Sequence, residues 1–222
     1  MRVLAISAHP DDETLGCGGT LLKHAAAGDK VFWLILTQPQ GPQWSTEVVQ
    51  AKAIEIEQVA QAYGMVDYFR LDFTSTRLDT VPKVELIARI REVISQTKPN
   101  IVYMVHHGDV HTDHHAAFTA TMSVLKSFYM SHFGVSRVMC FETLSSTEAA
   151  PATLDRIFIP NVFNDISDYI ERKIEIMSLF ESEVQADPLP RGPSSIRALA
   201  RHRGATVGID YAEAFMLIRE LG

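Results

Sequence analysis

The chain has 222 residues, of which 46% are hydrophobic and 21% are charged, so its composition excludes a disordered protein and a membrane-spanning one. No apolar run approaches the ~20 residues that a spanning helix needs, and a net charge of −7 argues against a nucleic-acid-binding surface. The two cysteines, Cys17 and Cys140, do not indicate a disulfide scaffold. The N-terminal run Met1–Ile6 is too short for a signal sequence, and we expect it to form the first strand of a cytoplasmic protein.

Strand-like and helical patterns alternate along the first hundred residues. The predicted strands cover residues 3–7, 31–37, 66–71 and 101–105, and the predicted helices cover about 18–27, 46–63 and the stretch after Pro82. Gly28 and Gly64 end the first two helices, and Pro82 suits the first position of the third. The loop 38–45, which contains Trp44, separates the second strand from its helix.

The second half of the chain continues the alternation with less regular spacing. The pattern predicts a helix over about 114–130, strands at 137–141 and 156–159, a helix at 164–181, a proline-rich loop at 186–193 and a helix at 194–203. The final segment, 211–221, fits a helix or a strand.

This alternation predicts an α/β fold of the three-layer, Rossmann-like kind, with a mostly parallel sheet and helices on both faces. In such sheets, ligands bind beyond the carboxyl ends of the strands at the point where the strand order reverses. In the commonest order, the first and fourth strands are neighbours at that point. Polar residues that follow these two strands should therefore meet at one rim of the sheet.

A cluster of polar residues follows the first strand, in the segment Ala8-His9-Pro10-Asp11-Asp12-Glu13. Polar groups beside a core are unfavourable unless they are paired or bind a metal. The segment occupies the turn where a dinucleotide-binding protein would carry its phosphate-binding glycines, and the later run Gly16-Cys17-Gly18-Gly19 does not match that fingerprint. We therefore expect a metal site with a spare carboxylate for proton transfer.

A second polar cluster follows the fourth strand. Five of the nine histidines of the chain fall between His106 and His115. Catalytic zinc sites use three protein ligands, drawn from histidine nitrogens and carboxylate oxygens, together with a water molecule. A histidine from each loop and one aspartate would supply such a set, whereas the two cysteines lack the spacing of a structural zinc site.

The two motifs together resemble those of the PIG-L or LmbE-like zinc de-N-acetylases. The resemblance rests on Ala8-His9-Pro10-Asp11-Asp12-Glu13 and on His111-Thr112-Asp113-His114, and it extends to Gly204–Gly208 and Tyr211–Phe215 near the C-terminus. That family includes deacetylases of N-acetylglucosaminyl-phosphatidylinositol, of mycothiol and bacillithiol precursors, and of diacetylchitobiose. The resemblance implies one domain over residues 1–222 and one Zn²⁺ per chain, with Fe²⁺ or another divalent metal as the alternative.

The resemblance also implies a role for each motif residue. His9, Asp12 and His114 match the three metal ligands. Asp11 matches the general base that activates the attacking water. His111 matches the residue that stabilises the oxyanion or protonates the leaving amine, and its protonated form would suit both tasks.

Other residues are candidates for supporting roles. Asp113 is expected to orient a histidine ligand, and Glu13 either caps the following helix through its dipole or supports a ligand. Candidates for substrate contact are Arg70, Arg77, Trp44 and His107. Each has a structural alternative: surface salt bridges for the two arginines, loop packing for Trp44 and lining of the loop for His107. The C-terminal arginines form either an anion pocket or a solvated helix face: Arg191, Arg197, Arg201 and Arg203.

The loop after the second strand and Lys52 depart from the pattern of many relatives, where a Gly-Glu element and a helical arginine are common. These departures weaken any transfer of substrate identity.

The sequence therefore predicts a zinc-dependent hydrolase that removes an acetyl group from an N-acetylated amino sugar or its conjugate. The alternatives are a metal-dependent hydrolase of another amide or of an ester, and a sugar- or nucleotide-binding module without catalysis. The expected partner is a small-molecule amino sugar, without nucleic acid or a membrane span, and a homo-oligomer is left open.

Overall fold

The computed structural model describes residues 1–42 and 44–222, so Gln43 of the predicted loop 38–45 lies outside the described residues. The strands in the described part are β1 Arg2–Ser7, β2 Lys30–Gln38, β3 Asp67–Thr74, β4 Ile101–Val105, β5 Arg137–Phe141, β6 Val162–Asp165 and β7 Ala212–Glu220. The helices are α1 Asp12–Ala26, α2 Thr46–Tyr63, α3 Lys83–Thr97, α4 Thr112–Val124, α5 Ser127–Phe133, α6 Ile170–Met177 and α7 Pro193–Val207, with a 3₁₀ turn at Leu78–Thr80.

The strands described form one seven-stranded sheet in the order β3-β2-β1-β4-β5-β7-β6. Strands β1 to β5 run parallel, and β7 pairs antiparallel with both β5 and β6. Helices α1, α2 and α6 contact one another, while α3 contacts α4, because right-handed crossovers in opposite directions place the two groups on opposite faces. The predicted α/β architecture is confirmed, and β1 and β4 are neighbours at the point where the strand order reverses.

The central strands read as continuous apolar runs because helices cover both of their faces. Residues 3–6 of β1 and 33–36 of β2 are completely buried. Helix α2 has the bounds that the sequence predicts: the Ser45 hydroxyl accepts the Val48 N–H at its start, and Gly64 ends it with φ of +66°. No helix in the described ranges is both long and apolar enough to cross a bilayer.

Helix α1 starts at Asp12, earlier than the predicted start near Gly18. The backbone at Cys17 departs from helical geometry, with φ of −139° and ψ of 15°. The predicted helix corresponds to the part after this interruption. The first part begins within the polar motif itself, where the sequence indicated only a turn.

Three predictions for the second half are wrong in detail. The strand predicted at 156–159 does not form; its isoleucines, Ile157 and Ile159, are about half exposed, and the strand lies after Pro160, at β6. The helix predicted at 164–181 is shorter because the Ile166 N–H bonds to the Tyr211 carbonyl at the sheet edge. The helix predicted at 114–130 is divided into α4 and α5 around Lys126. The C-terminal segment, which fitted either element, is the strand β7.

Candidate active site

A pocket of about 460 Å³ lies at the carboxyl ends of β1 and β4. Both polar clusters contribute to its wall, as the strand order predicted. His9, Asp11 and Asp12 come from the turn after β1, and His111 and His114 come from the start of α4. The fold therefore joins two segments that are distant in sequence into one site.

The turn after β1 is strained at Asp11, whose φ is +130°. Such a backbone conformation is unfavourable for a residue with a Cβ atom, and it clusters at functional sites. Glu13 holds the turn: its carboxylate accepts the Asp11 N–H at 3.2 Å, the Ser7 hydroxyl at 3.3 Å and the Thr14 hydroxyl at 2.6 Å. Burial raises the pKa of Glu13 to about 8. The hydrogen bond from the Asp11 N–H places Glu13 at the start of α1. Because a carboxyl group with this pKa is mostly neutral near pH 7, Glu13 holds the helix start through hydrogen bonds and not through its charge on the helix dipole.

His9, Asp12 and His114 form a convergent donor set. Asp12 Oδ1 lies 3.2 Å from His114 Nε2, and Asp12 Oδ2 lies 3.8 Å from His9 Nδ1. The second nitrogen of each ring faces a carboxylate: His9 Nε2 lies 2.9 Å from Asp113 Oδ2, and His114 Nδ1 lies 2.6 Å from Asp109 Oδ2. Metal-binding histidines are characteristically oriented in this way. The residues present therefore fit a divalent metal ion.

The titration of this set is consistent with a cation site. Burial opposes ionisation of Asp12, but the neighbouring His114 and His9 hold its pKa well below the ordinary value. Burial likewise opposes the charge on His114, but Asp12 and Asp109 raise its pKa to about 10. A proton therefore competes with a metal for His114 Nε2, and metal affinity should fall as the pH is lowered.

His111 offers a second way to complete the donor set. Ligand atoms of His9, His111 and His114 lie within 4.8 Å of one another. However, His111 Nδ1 accepts the backbone N–H of Asp113 at 3.2 Å, so the neutral ring carries its proton on Nε2. A protonated nitrogen donates hydrogen bonds but does not ligate a metal. This tautomer favours Asp12 as the third ligand and leaves His111 as a donor.

The protonation state of His111 differs from the expectation. Burial, His9 and His114 lower its pKa to about 4, so the ring is neutral near pH 7 in the metal-free protein. The Nε2–H group is still available as a hydrogen-bond donor in this form.

The carboxylates behind the histidines also fix the surrounding loops. Besides facing His9, Asp113 accepts the backbone N–H groups of Thr76 and Leu78 at 2.7 and 2.9 Å. Asp109 accepts the Thr147 hydroxyl at 2.6 Å. The geometry supports the orienting role expected of Asp113. Asp109 was not among the predicted site residues, although its position within the histidine cluster, five residues before His114, was a usable signal.

Replacing Asp109 with asparagine is expected to weaken metal binding by about 10–100-fold, because His114 Nδ1 loses its anionic partner. Competition with a chromophoric chelator measures this affinity. The control is Asp72→Asn, which removes an exposed carboxylate that pairs with Arg89. Equal affinities for the two variants would contradict the proposed contribution of Asp109.

A network of charged side chains faces Asp11 across the pocket. Asp11 Oδ2 lies 3.3 Å from Arg191 Nη1, which donates to Glu183 Oε2 at 2.7 Å. Lys52 Nζ donates to Ser182 Oγ at 2.6 Å and to Glu183 Oε1 at 3.1 Å, and it lies 2.7 Å from Glu55 Oε2 as an ion pair. The ammonium charge of Lys52 is therefore paired with Glu55 and Glu183.

The network also sets the titration of Asp11. Burial, Asp12 and Glu183 raise its pKa well above the ordinary value, while Arg191 acts in the opposite direction. A carboxylate with a raised pKa is suited to accepting a proton near neutral pH. Sequence reasoning left the arginines open; Arg191 reaches the site, whereas the others pair with carboxylates elsewhere, namely Arg197 with Glu171, Arg201 with Asp210 and Arg203 with Glu142.

Of the four candidates for substrate contact, Trp44 lines the pocket. Arg70 Nη2 donates to Gln38 at 3.2 Å, and Arg77 is exposed. His107 packs against His106 and Phe118, with ring centroids 4.3 and 5.0 Å away. These last three residues lie outside the lining of the pocket.

Comparison with known proteins places the chain in a family. The family model PIG-L, described as GlcNAc-PI de-N-acetylase, matches residues 4–125. The diacetylchitobiose deacetylase of Thermococcus kodakarensis is 30% identical over 98% of this chain and 83% of its own length. A probable N-acetyl-α-D-glucosaminyl L-malate deacetylase of Bacillus anthracis is 22% identical over 82% of this chain and 81% of its own length.

The fold also recurs in solved structures. The conserved protein TT1542 from Thermus thermophilus superimposes with a TM-score of 0.79 at 24% identity, over 100% of this chain and 97% of that one. Since the family model covers more than half of the chain and the T. kodakarensis enzyme aligns along nearly all of it, the chain belongs to the PIG-L family.

Proposed function

We propose that the protein is a metal-dependent hydrolase that removes the acetyl group from an N-acetylated amino sugar of the N-acetylglucosamine type, releasing acetate and the free amine. The observation that carries this proposal is the position of Asp11, a buried carboxylate adjacent to the donor set of His9, Asp12 and His114 but directed toward Arg191. The names of the relatives, diacetylchitobiose deacetylase and N-acetylglucosaminyl malate deacetylase, support the substrate class.

We take His9, Asp12 and His114 as the ligands and zinc as the ion, because two imidazole nitrogens and one carboxylate oxygen suit it. When bound, zinc polarises the amide carbonyl and lowers the pKa of a water molecule beside it. Asp109 and Asp113 keep the two histidine rings oriented through their outer nitrogens.

Asp11 serves as the general base in this scheme. Its carboxylate removes a proton from the attacking water and later returns it to the amine nitrogen when the C–N bond breaks. Arg191 at Oδ2 holds the carboxylate in place and leaves Oδ1 for the proton. The raised pKa of Asp11 suits both steps, since a stronger base accepts the proton more readily.

His111 serves as a donor to the carbonyl oxygen, on which negative charge develops as the water attacks. The ring is neutral near pH 7 and carries its proton on Nε2, as set by the Asp113 N–H. This state favours stabilisation of the oxyanion over protonation of the amine, the two roles that the sequence left open.

Replacing His111 with alanine is expected to lower kcat by about 10²–10³-fold, the usual loss when one oxyanion donor is removed. Metal content should stay unchanged, which elemental analysis checks. His111→Gln retains an N–H donor and should recover part of the rate. Loss of the metal from the His111→Ala variant would instead make this ring a ligand.

Trp44 is the residue that we assign to substrate contact, since it lines the pocket and an indole ring offers an apolar surface for a sugar ring. The Lys52 ammonium, which pairs with Glu55 and Glu183, and the Arg191–Glu183 pair supply polar walls to the pocket. A cytoplasmic location stays a prediction, and a homo-oligomeric assembly stays open.

The proposed function is tested by acetate release from a panel of N-acetylglucosamine conjugates, including oligosaccharides, nucleotide sugars and thiol precursors. We expect turnover of at least one amino-sugar amide by the zinc-loaded protein and none by the chelated protein. Turnover of ester substrates alone would support the alternative hydrolase. Sugar binding without any acetate release would support the non-catalytic binding module.

A further inference from the structure

The interruption of α1 replaces a particular backbone hydrogen bond. In a continuous α-helix, the Gly19 N–H would donate to the Leu15 carbonyl, four residues earlier. Here, the Leu15 carbonyl accepts Lys173 Nζ at 2.8 Å, and the Gly19 N–H donates to Glu213 Oε1 at 2.8 Å. Cys17, between them, has the non-helical backbone angles.

Lys173 and Glu213 close this gap as an ion pair. Lys173 Nζ lies 2.7 Å from Glu213 Oε1, and Glu213 Oε2 accepts the Thr20 N–H at 2.7 Å. The side chains of both are only 4% exposed. The path from the Leu15 carbonyl through Lys173 and Glu213 to the Gly19 N–H therefore takes the place of the Leu15–Gly19 hydrogen bond, and Glu213 also accepts the next N–H, that of Thr20.

A contribution to stability does not by itself explain this buried ion pair. Burying two charges carries a desolvation penalty that their attraction often fails to exceed. An uninterrupted helix would satisfy the Leu15 and Gly19 backbone groups without any side chain. What the pair adds is a change of direction between the two parts of α1.

Close packing fixes both parts of the helix on either side of the interruption. A Cβ atom on Gly16 would lie 2.0 Å from the Phe141 ring, and one on Gly19 would lie 2.8 Å from Ile166. The second part is thereby pressed against the segment after β6. The first part, which carries Asp12 in its first turn, approaches β5.

We infer that Lys173 and Glu213 are positioning residues, whose ion pair replaces the Leu15–Gly19 hydrogen bond and sets the direction of the first turn of α1 relative to the sheet. This turn carries Asp12, and Asp11 occupies its N-cap position. The inference rests on the proposed function in one respect, that these two aspartates are a metal ligand and the general base. Neither Lys173 nor Glu213 lines the pocket.

Lys173→Met tests the inference. We expect it to weaken zinc affinity, measured by chelator competition, by about tenfold, and to lower kcat by about tenfold with KM changed less than about twofold, as is typical when a residue that orients ligands is lost. Lys173→Arg retains the donors and should recover most of both. Amide hydrogen exchange over residues 12–22 should become faster by about tenfold in Lys173→Met, with and without zinc.

The matched control is Ile90→Ala, which opens a cavity in α3 on the opposite face of the sheet. It should lower the melting temperature without changing zinc affinity or exchange over residues 12–22. Because a lone buried charge can unfold a protein, the double variant Lys173→Met/Glu213→Gln keeps the test available if Lys173→Met does not fold.

If Lys173→Met, or the double variant in its place, had the zinc affinity and kcat of Ile90→Ala, the inference would be overturned. Failure of the wild-type protein to bind zinc or release acetate would instead overturn the proposed function. In that case, amide hydrogen exchange over residues 12–22 would still report whether the ion pair sets the direction of the first turn of α1.

Discussion

Replacing Asp11 with asparagine is expected to lower the rate of acetate release by about 10²–10⁴-fold while the metal stays bound. Asparagine tolerates a positive φ as aspartate does, so the turn at φ of +130° should persist. The amide cannot accept the proton of the attacking water. The measurement is kcat on the best substrate of the panel, together with metal content by elemental analysis.

The control for this variant is Asp72→Asn, which removes a carboxylate on the protein surface, where its side chain is 70% exposed. It should retain the wild-type rate. Near-normal acetate release by Asp11→Asn would remove Asp11 from the role of base and leave the proposed mechanism without a proton acceptor.

Replacing Asp12 with alanine is expected to abolish turnover and to weaken metal affinity. The loss of affinity should exceed the loss of about 10–100-fold expected when a carboxylate behind a histidine ligand is removed. The variant removes the carboxylate that lies between His114 Nε2 and His9 Nδ1. Only two protein ligands would then remain. Metal content after dialysis and a zinc titration measure the effect.

Asp29→Ala is the matched control, because Asp29 also pairs with a histidine, His24, at 2.7 Å but lies away from the pocket. It should bind zinc as the wild-type protein does. If Asp12→Ala retained one tightly bound zinc per chain, the ligand set would instead be the three imidazoles of His9, His111 and His114.

The halves of the site could be predicted because each follows a strand whose character is evident in the sequence. The apolar runs at residues 3–6 and 101–105 mark two buried strands, and the alternation with helices predicts that they are neighbours. The convergence of His9 with His114 follows from that order. The spacing of residues within each loop does not tell which residue is the base and which is a ligand. Those roles follow from the resemblance to a known family.

The residues that support the site could not be predicted because their partners are remote in sequence. Arg191 meets Asp11 across 180 positions, and its loop has no periodicity that would indicate its direction. The four C-terminal arginines look alike in sequence, and only the tertiary structure separates Arg191 from those that pair on the surface.

The interruption in α1 illustrates the same limit. The sequence predicted a helix from about residue 18, and a helical segment does follow the interruption at Cys17. The preceding turn is helical because Glu13 caps it and Lys173 and Glu213 complete its unpaired backbone groups. These contacts join α1 to α6, whose bounds the sequence predicted poorly, and to β7, for which the sequence left helix or strand open.

The central claim is that one divalent ion held by His9, Asp12 and His114 works together with Asp11 to hydrolyse an N-acetyl amide. The most direct measurement is acetate release by the chelated wild-type protein as zinc is returned to it, with Asp11→Asn treated in parallel. We predict that wild-type activity rises in proportion to zinc and levels off at one ion per chain, while Asp11→Asn takes up the same zinc and stays inactive. Acetate release by the zinc-free protein at the rate of the loaded one would contradict the claim.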